Sequence, residues 1–375
     1  MTQIGGRGGG AARVEDRAPR LGVHVTDRCQ LDCQHCLRDP GQKPRDLDPG
    51  LFARVLEQAS RVHGLSRVSF TGGEPLLHPH FDALVDAVIS RGGSVDWVSN
   101  GRLVPELLQR WDTTPSRQAA IRSLSLSLDA ATPELHDALR EPGSHRDVMR
   151  AAVACAARGV PFGVQMSVHA RNEAELEQVG LLAASLGAKH VSFALTQPTG
   201  TAHDAALYLP PARLRALRGR IDSLSRALAI AVVLPEGHYD PARFTTCAPL
   251  RGETLHVDVD GRLSLCCLHA QVPGAEPGSD VIADLSEVTL EEAHARFLER
   301  AAAIQRERLI RLAASADSVW DHFGCNACLA AFGRPHWVDG GAAGASARRE
   351  RWQGAWAAGP QRHAALPSRR LPVAT

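Results

Sequence analysis

The chain has 375 residues, 44% of them hydrophobic, and a formal net charge of +1. That suffices for one large globular domain or two ordinary ones, and the near-zero charge gives no electrostatic case for nucleic acid or a membrane surface. The first twenty residues hold no secretory-type apolar stretch, and no apolar run approaches membrane-span length, so a cytoplasmic protein is expected.

Residues 1–20 and 339–375 are rich in Gly, Ala, Arg and Pro without periodicity, and both are expected to be disordered tails. Between them, short apolar runs alternate with amphipathic segments. Strands are predicted at 21–25, 67–70, 94–98, 121–128, 161–168 and 189–195. Helices are predicted around 48–62, 79–91, 103–110, 145–158 and 172–186. This alternation indicates an α/β fold with a parallel sheet, where chemistry gathers at the C-terminal ends of the strands. A helix near 210–228 links to a region of different rhythm. There a hairpin is predicted, 254–259 and 262–267 around Asp260-Gly261, followed by a long helix over 289–315. Residues 239–338 are expected to form a small α+β domain.

Nine cysteines in a reducing compartment point to metal ligation or redox chemistry rather than disulfides. Cys29, Cys33 and Cys36 follow the first predicted strand with the spacing C-x3-C-x2-C. Three thiolates on one loop can hold three irons of a 4Fe–4S cluster and leave the fourth iron open to a substrate or cofactor. Zinc is the competing reading. A structural zinc site closes a tetrahedron of four ligands, no fourth cysteine lies within the loop's reach, and His35 adjoins Cys36 too closely for good chelation.

This cysteine loop, placed just after a first strand, resembles the signature of the radical S-adenosylmethionine (SAM) superfamily. His35 stands where that family carries an aromatic residue or histidine. Gly72-Gly73-Glu74-Pro75, ending the second predicted strand, resembles the family's GGEP motif. The resemblance implies a partial (β/α)6 TIM-like barrel, here assigned with its linking helix to 21–238. It also implies a SAM-binding 4Fe–4S cluster on Cys29, Cys33 and Cys36, with SAM against His35, Gly72, Gly73, Glu74 and Pro75. Glycines permit close backbone approach, and Glu74 offers an acceptor for the ammonium of SAM. Further matches place Asn100, Ser127, Asp129, Gln165 and Ser167 around the cofactor. Each also reads as a polar residue at a strand end or turn. The family's chemistry follows: an electron from an external reductant such as flavodoxin or ferredoxin cleaves SAM to methionine and a 5′-deoxyadenosyl radical. That radical then takes a hydrogen atom from the substrate.

Cys247, the pair Cys266-Cys267, Cys325 and Cys328 supply four thiolates, enough to close a second 4Fe–4S cluster, with zinc the alternative. The set resembles the auxiliary-cluster domains called SPASM and, in shortened form, twitch, above all the twitch domain of an aminocyclitol dehydrogenase. Gly261 followed after four residues by Cys266 fits a SPASM element and favours Cys266 as the ligand. A full SPASM domain has further cysteines after its C-x2-C. None follows Cys328, so one auxiliary cluster is expected, acting as an electron conduit. Cys267 is then a candidate hydrogen-atom donor of the kind radical SAM epimerases use, or an ordinary hairpin cysteine. Cys155, in a run of alanines, reads as a structural thiol.

Two substrate classes follow from the resemblance. One is a peptide, in maturation of a ribosomally made product. The other is a sugar, aminocyclitol or similar small molecule undergoing dehydrogenation or epimerisation. A non-catalytic iron–sulfur or zinc protein is the reading from outside the enzymes, and the intact Gly-Gly-Glu-Pro segment argues against it. His24 reads as a core histidine, and residues 196–200 as a polar loop or pocket wall.

Overall fold

Apolar alternation builds the sheet. On β1 (Arg20–Thr26), Leu21, Val23 and Val25 are fully buried, and they share one core with Leu51, Phe52, Val55 and Leu56 of α1 (Pro49–His63). That helix starts at Asp48, whose side chain accepts from Leu51 N at 2.7 Å, and stops at Gly64 with φ of 64°. The computed structural model describes residues 18–37, 43–64, 67–196, 207, 209–266, 280–314, 319–325 and 328. All of these belong to one unit, Met1–Trp337.

The chain continues through β2 (Arg67–Gly72), α2 (Phe81–Ile89), β3 (Ser94–Ser99), α3 (Val104–Trp111) and α4 (Pro115–Ala119). β4 (Ile121–Ser127), α5 (Pro133–Leu139), α6 (Ser144–Ala157), β5 (Phe162–Val168), α7 (Leu176–Ser185) and β6 (His190–Leu195) complete the barrel. Each of the six strands pairs in parallel with the next, as a partial (β/α)6 barrel requires. An aromatic ladder fills the layer between sheet and helices. Phe52–Phe70, Phe70–Phe81, Phe81–Trp97 and Trp97–Trp111 have ring centroids 5.5–6.2 Å apart, pairs each worth about 0.5–1.5 kcal/mol beyond their burial. The other face of β2 and β3 is polar, with Arg67 Nε 2.5 Å from Asp96 and Ser69 donating to the same carboxylate.

All six predicted strands lie within two residues of their observed bounds. Helices α4 and α5 were not expected, because five and seven residues are too few to display a 3.6-residue period.

After α8 (Pro211–Ala227), β7 (Ala231–Val233) adds to the β6 edge. The predicted hairpin forms as β8 (Thr254–Val257) and β9 (Arg262–Ser264), with β10 (Val281–Asp284) beyond it. β8 pairs in parallel with β1, Leu21 opposite Leu255, so one sheet runs β10-β9-β8-β1-β2-β3-β4-β5-β6-β7 across the position expected for a boundary. α9 (Leu290–Ala314) follows. Among the described residues no helix is long and apolar enough to cross a membrane.

Candidate functional site

The loop after β1 is fastened from three sides. Gly73 N donates to Thr26 O at 2.8 Å and Glu74 N to Arg28 O at 2.7 Å, which zips the end of β2 onto the residues preceding Cys29. Leu47 N to Val25 O and Asp27 N to Arg45 O, both 2.9 Å, secure the returning chain. Gln34 N donates to Leu139 O at 3.1 Å, at the end of α5. Two glycines make the zip possible. Gly72 has φ of +137°, and a Cβ there would collide with the Thr26 carbonyl; at Gly73 it would meet the carbonyl of Arg28.

Cys29, Cys33 and Cys36 ride on this loop at the C-terminal end of β1, and Cys36 N donates to Cys33 O at 3.1 Å. Burial pushes the Cys33 thiol up to about 12, against the pull of nearby Arg140. A bound metal would displace that proton. The eight described cysteines are all thiols rather than disulfides.

Glu74 is 1% exposed. Its Oε1 accepts from Ser99 Oγ at 3.0 Å and its Oε2 from Asn100 N at 2.8 Å. Burial nevertheless raises its carboxyl to about 7. Pro75 begins a short 3-10 turn, Pro75–Leu77. Asn100 Oδ1 accepts from Gln30 Nε2 at 3.2 Å and from Arg102 N at 3.1 Å. Around these bonds, Gln30 Oε1, Asn100 Nδ2 and His35 Nδ1 are buried with no partner. Orphaned buried polar atoms call for an explanation, and a polar ligand beside the thiol loop supplies one.

Asp129 forms the second anchor. It is fully buried; Oδ2 accepts from Arg140 Nε at 2.5 Å and lies 3.4 Å from His35 Nε2, and Oδ1 accepts from Ser167 N at 2.9 Å. Arg140 Nη1 in turn is 3.8 Å from Cys33 Sγ. Burial alone would raise the Asp129 carboxyl, but Arg140 and His35 hold it well below the usual carboxylate range. Asp129 N donates to His136 Nδ1 at 3.1 Å, while Asn172 Nδ2 donates to the carbonyls of Asp129 and Ser167, both at 2.9 Å.

Of the residues singled out from sequence, the structure gathers Cys33, His35, Asp129 and Ser167 into this one network. Ser127 is buried and Gln165 half-buried on the neighbouring strands, where Gln165 O accepts from Leu128 N at 2.9 Å. Sequence reading missed Arg140, His136 and Asn172. Arg140 caps the C-terminus of α5, and the signal that could have found it was Thr132-Pro133-Glu134, a helix start. His24 is buried, its Nε2 3.0 Å from Asp27 Oδ1 and 3.1 Å from Thr26 O.

The other thiols meet elsewhere. Cys247, Cys266, Cys325 and Cys328 all line one cavity of about 210 Å³, with Arg218, Glu236 and His238 also in its wall. Cys247 comes from the segment after β7, Cys266 from just past β9, and the last pair from beyond α9. Burial pushes the Cys328 thiol up to about 12 and that of Cys247 upward too. Cys267 lies outside the described residues. Among the described residues no three His, Cys, Asp or Glu side chains converge closely enough to hold a single metal ion.

Both donor sets fit iron–sulfur clusters by their chemistry. Three soft thiols with orphaned polar neighbours suit a cluster with one open iron, and four thiols around a shared space suit a fully ligated one.

Residues 23–183, which run from β1 into α7, match the radical SAM superfamily. The chain is 32% identical over 191 residues to mycofactocin maturase MftC of Mycobacterium tuberculosis, covering 50% of this chain and 47% of that protein. It is 29% identical over 215 residues to the PqqA peptide cyclase of Ruegeria pomeroyi, 55% of each. The chain thus spans about half the length of the curated relatives it matches. Its fold is similar to that of anSMEcpe solved with bound AdoMet, with a TM-score of 0.60, 14% identity, and coverage of 81% of this chain and 88% of that one.

Proposed function

We propose that this chain is a radical SAM enzyme that takes a hydrogen atom from a peptide during natural-product maturation. The observation that carries this reading is the zip between the Cys29 loop and Gly72-Gly73-Glu74, which brings three thiols and a buried carboxylate to one strand end. Cys29, Cys33 and Cys36 would hold the cluster, with SAM against Glu74, His35 and Asn100. When bound, these groups supply reductive cleavage of SAM to a 5′-deoxyadenosyl radical, the electron coming from a flavodoxin or ferredoxin.

The residues of the chain do the positioning. Glu74 is held by Ser99 and Asn100, so its carboxylate is fixed before an ammonium arrives. Arg140 ties Asp129 to the Cys33 thiol, which locks the loop against α5 and keeps a cation beside the thiols. Cys247, Cys266, Cys325 and Cys328 would close an auxiliary cluster in a SPASM/twitch-like region, 239–338. The peptide class is favoured by the relatives, one of which is a peptide cyclase.

The test is anaerobic reconstitution of the full chain, followed by metal and sulfide analysis and assay of 5′-deoxyadenosine with SAM and dithionite. About eight irons per chain with 5′-deoxyadenosine formed is the expected result. Folded protein that binds zinc alone and leaves SAM intact would overturn the reading. Product formation stimulated by an aminocyclitol, and not by candidate peptides, would move the substrate to the small-molecule class.

A further inference from the structure

The C-terminal cavity is gripped by one face of α9. Gln305 and Arg308 lie one turn apart there. Gln305 Nε2 donates to Leu250 O at 2.7 Å. The Arg308 guanidinium donates to three carbonyls: Thr245 O, Arg243 O at 3.0 Å and Asp321 O at 3.3 Å. Thr245 and Leu250 flank Cys247, and Asp321 precedes Cys325. Two side chains of one helix therefore hold both sides of one cysteine and the approach to the next pair.

Arg308 is an unusual clamp. It is 4% exposed, its guanidinium lies 5.2 Å from the centre of the Phe244 ring, and its Nε is buried with no partner. Gly324, which lines the cavity beside Cys325, sits against it; a Cβ on Gly324 would be 3.8 Å from Arg308 Nη1. Among the described residues its hydrogen bonds go to neutral carbonyls, while the nearby Asp321 carboxylate is bonded by Arg243 at 2.8 Å and so is shared between cations. A buried cation is costly unless an opposite charge comes near. A cluster ligated by four thiolates is anionic, and its net charge and neighbouring dipoles set its reduction potential.

We infer that Arg308 is the positioning residue of the auxiliary cluster, holding the Cys247 and Cys325 segments around the cavity and supplying a buried positive charge beside the four-thiolate centre. This rests on the auxiliary-cluster reading above. Removing the guanidinium loosens two of the three cysteine-bearing segments and withdraws the cation.

The experiment compares the full-length protein with Arg308→Met, Arg308→Lys and, as an exposed control on the same helix, Leu309→Ala (49% exposed). All are reconstituted anaerobically and examined for iron and sulfide, for the EPR signal and midpoint potential of the second cluster, and for SAM cleavage. Arg308→Met is expected to lose about half the iron while SAM cleavage persists. Arg308→Lys should recover most of that iron with an altered EPR signal, and Leu309→Ala should match wild type. Wild-type iron and wild-type potential in Arg308→Met would overturn the inference. Should Arg308→Met fail to fold, Arg308→Lys decides: a changed potential or signal supports the role, and an unchanged one removes it. Wild-type protein with a single cluster would sink the auxiliary cluster and this inference together. Two clusters in wild type with an indifferent Arg308 would sink this inference alone.

Discussion

The two thiol sets of this protein are built in opposite ways. Cys29, Cys33 and Cys36 sit on one loop whose shape comes from backbone hydrogen bonds to β2 and to the end of α5. Cys247, Cys266, Cys325 and Cys328 arrive from three separate segments and meet only because β8 joins β1 and α9 clamps the intervening chain. A site held by local backbone tolerates few changes within the loop and is insensitive to what happens far away. A site closed by side chains on a distant helix should fail piecemeal, and its failure should leave the first site standing.

The strongest way to break that comparison is to delete each set in turn. Replacing Cys29, Cys33 and Cys36 with alanine is expected to reduce 5′-deoxyadenosine formation to background; cleavage at the wild-type rate would remove the first site from the mechanism. Replacing Cys325 and Cys328 should remove about half the iron and leave SAM cleavage intact. Unchanged iron there would return those cysteines to a structural role.

Asp129→Asn probes what holds the first loop. It leaves the Arg140 guanidinium buried without its charged partner, which costs about 3–5 kcal/mol when a buried pair is broken. Chemical denaturation should register that loss, with the first cluster's iron falling and the second's EPR signal unaffected. A change below about 0.5 kcal/mol, the level of an ordinary surface substitution, would mean that the Asp129–Arg140 pair does not hold the loop.

A smaller, pH-dependent effect separates the sites further. The Glu74 carboxyl is raised to about 7 in the folded protein from an ordinary 4.5, so folding favours its protonated form. Its contribution to stability is full below the unfolded value and disappears as pH rises through about 7. Before a cofactor binds, the protein should therefore lose on the order of 1–3 kcal/mol between pH 5 and 8, and Glu74→Gln should flatten that loss. Equal declines in both proteins would exclude Glu74 as the source. Asp129 acts with the opposite sign: its lowered pKa stabilises above the ordinary carboxylate range, and that contribution is lost on acidification.

Much of the barrel was legible because its signals are short-range. Short apolar runs marked all six strands, and the cysteine spacing and Gly-Gly-Glu-Pro marked the candidate site, since each is a property of consecutive residues. α5 was hidden by its brevity, and Arg140 with it, although that residue joins Asp129 to Cys33. The spacing of the last four cysteines suggested a shared centre, but no local pattern announced Arg308 or its three carbonyls.

What the sequence determined by itself was the spacing of the two cysteine groups, the order of strands and helices, and the glycines that let two loops touch. Tertiary structure alone decided that the hairpin extends the barrel's sheet, that an arginine stands beside Cys33, and that four cysteines spread over 82 positions face one cavity. The physical reason is range. Strand alternation and glycine conformation are set within a few residues of the chain, whereas a buried charge or a closed cavity depends on which distant surfaces the whole core brings together.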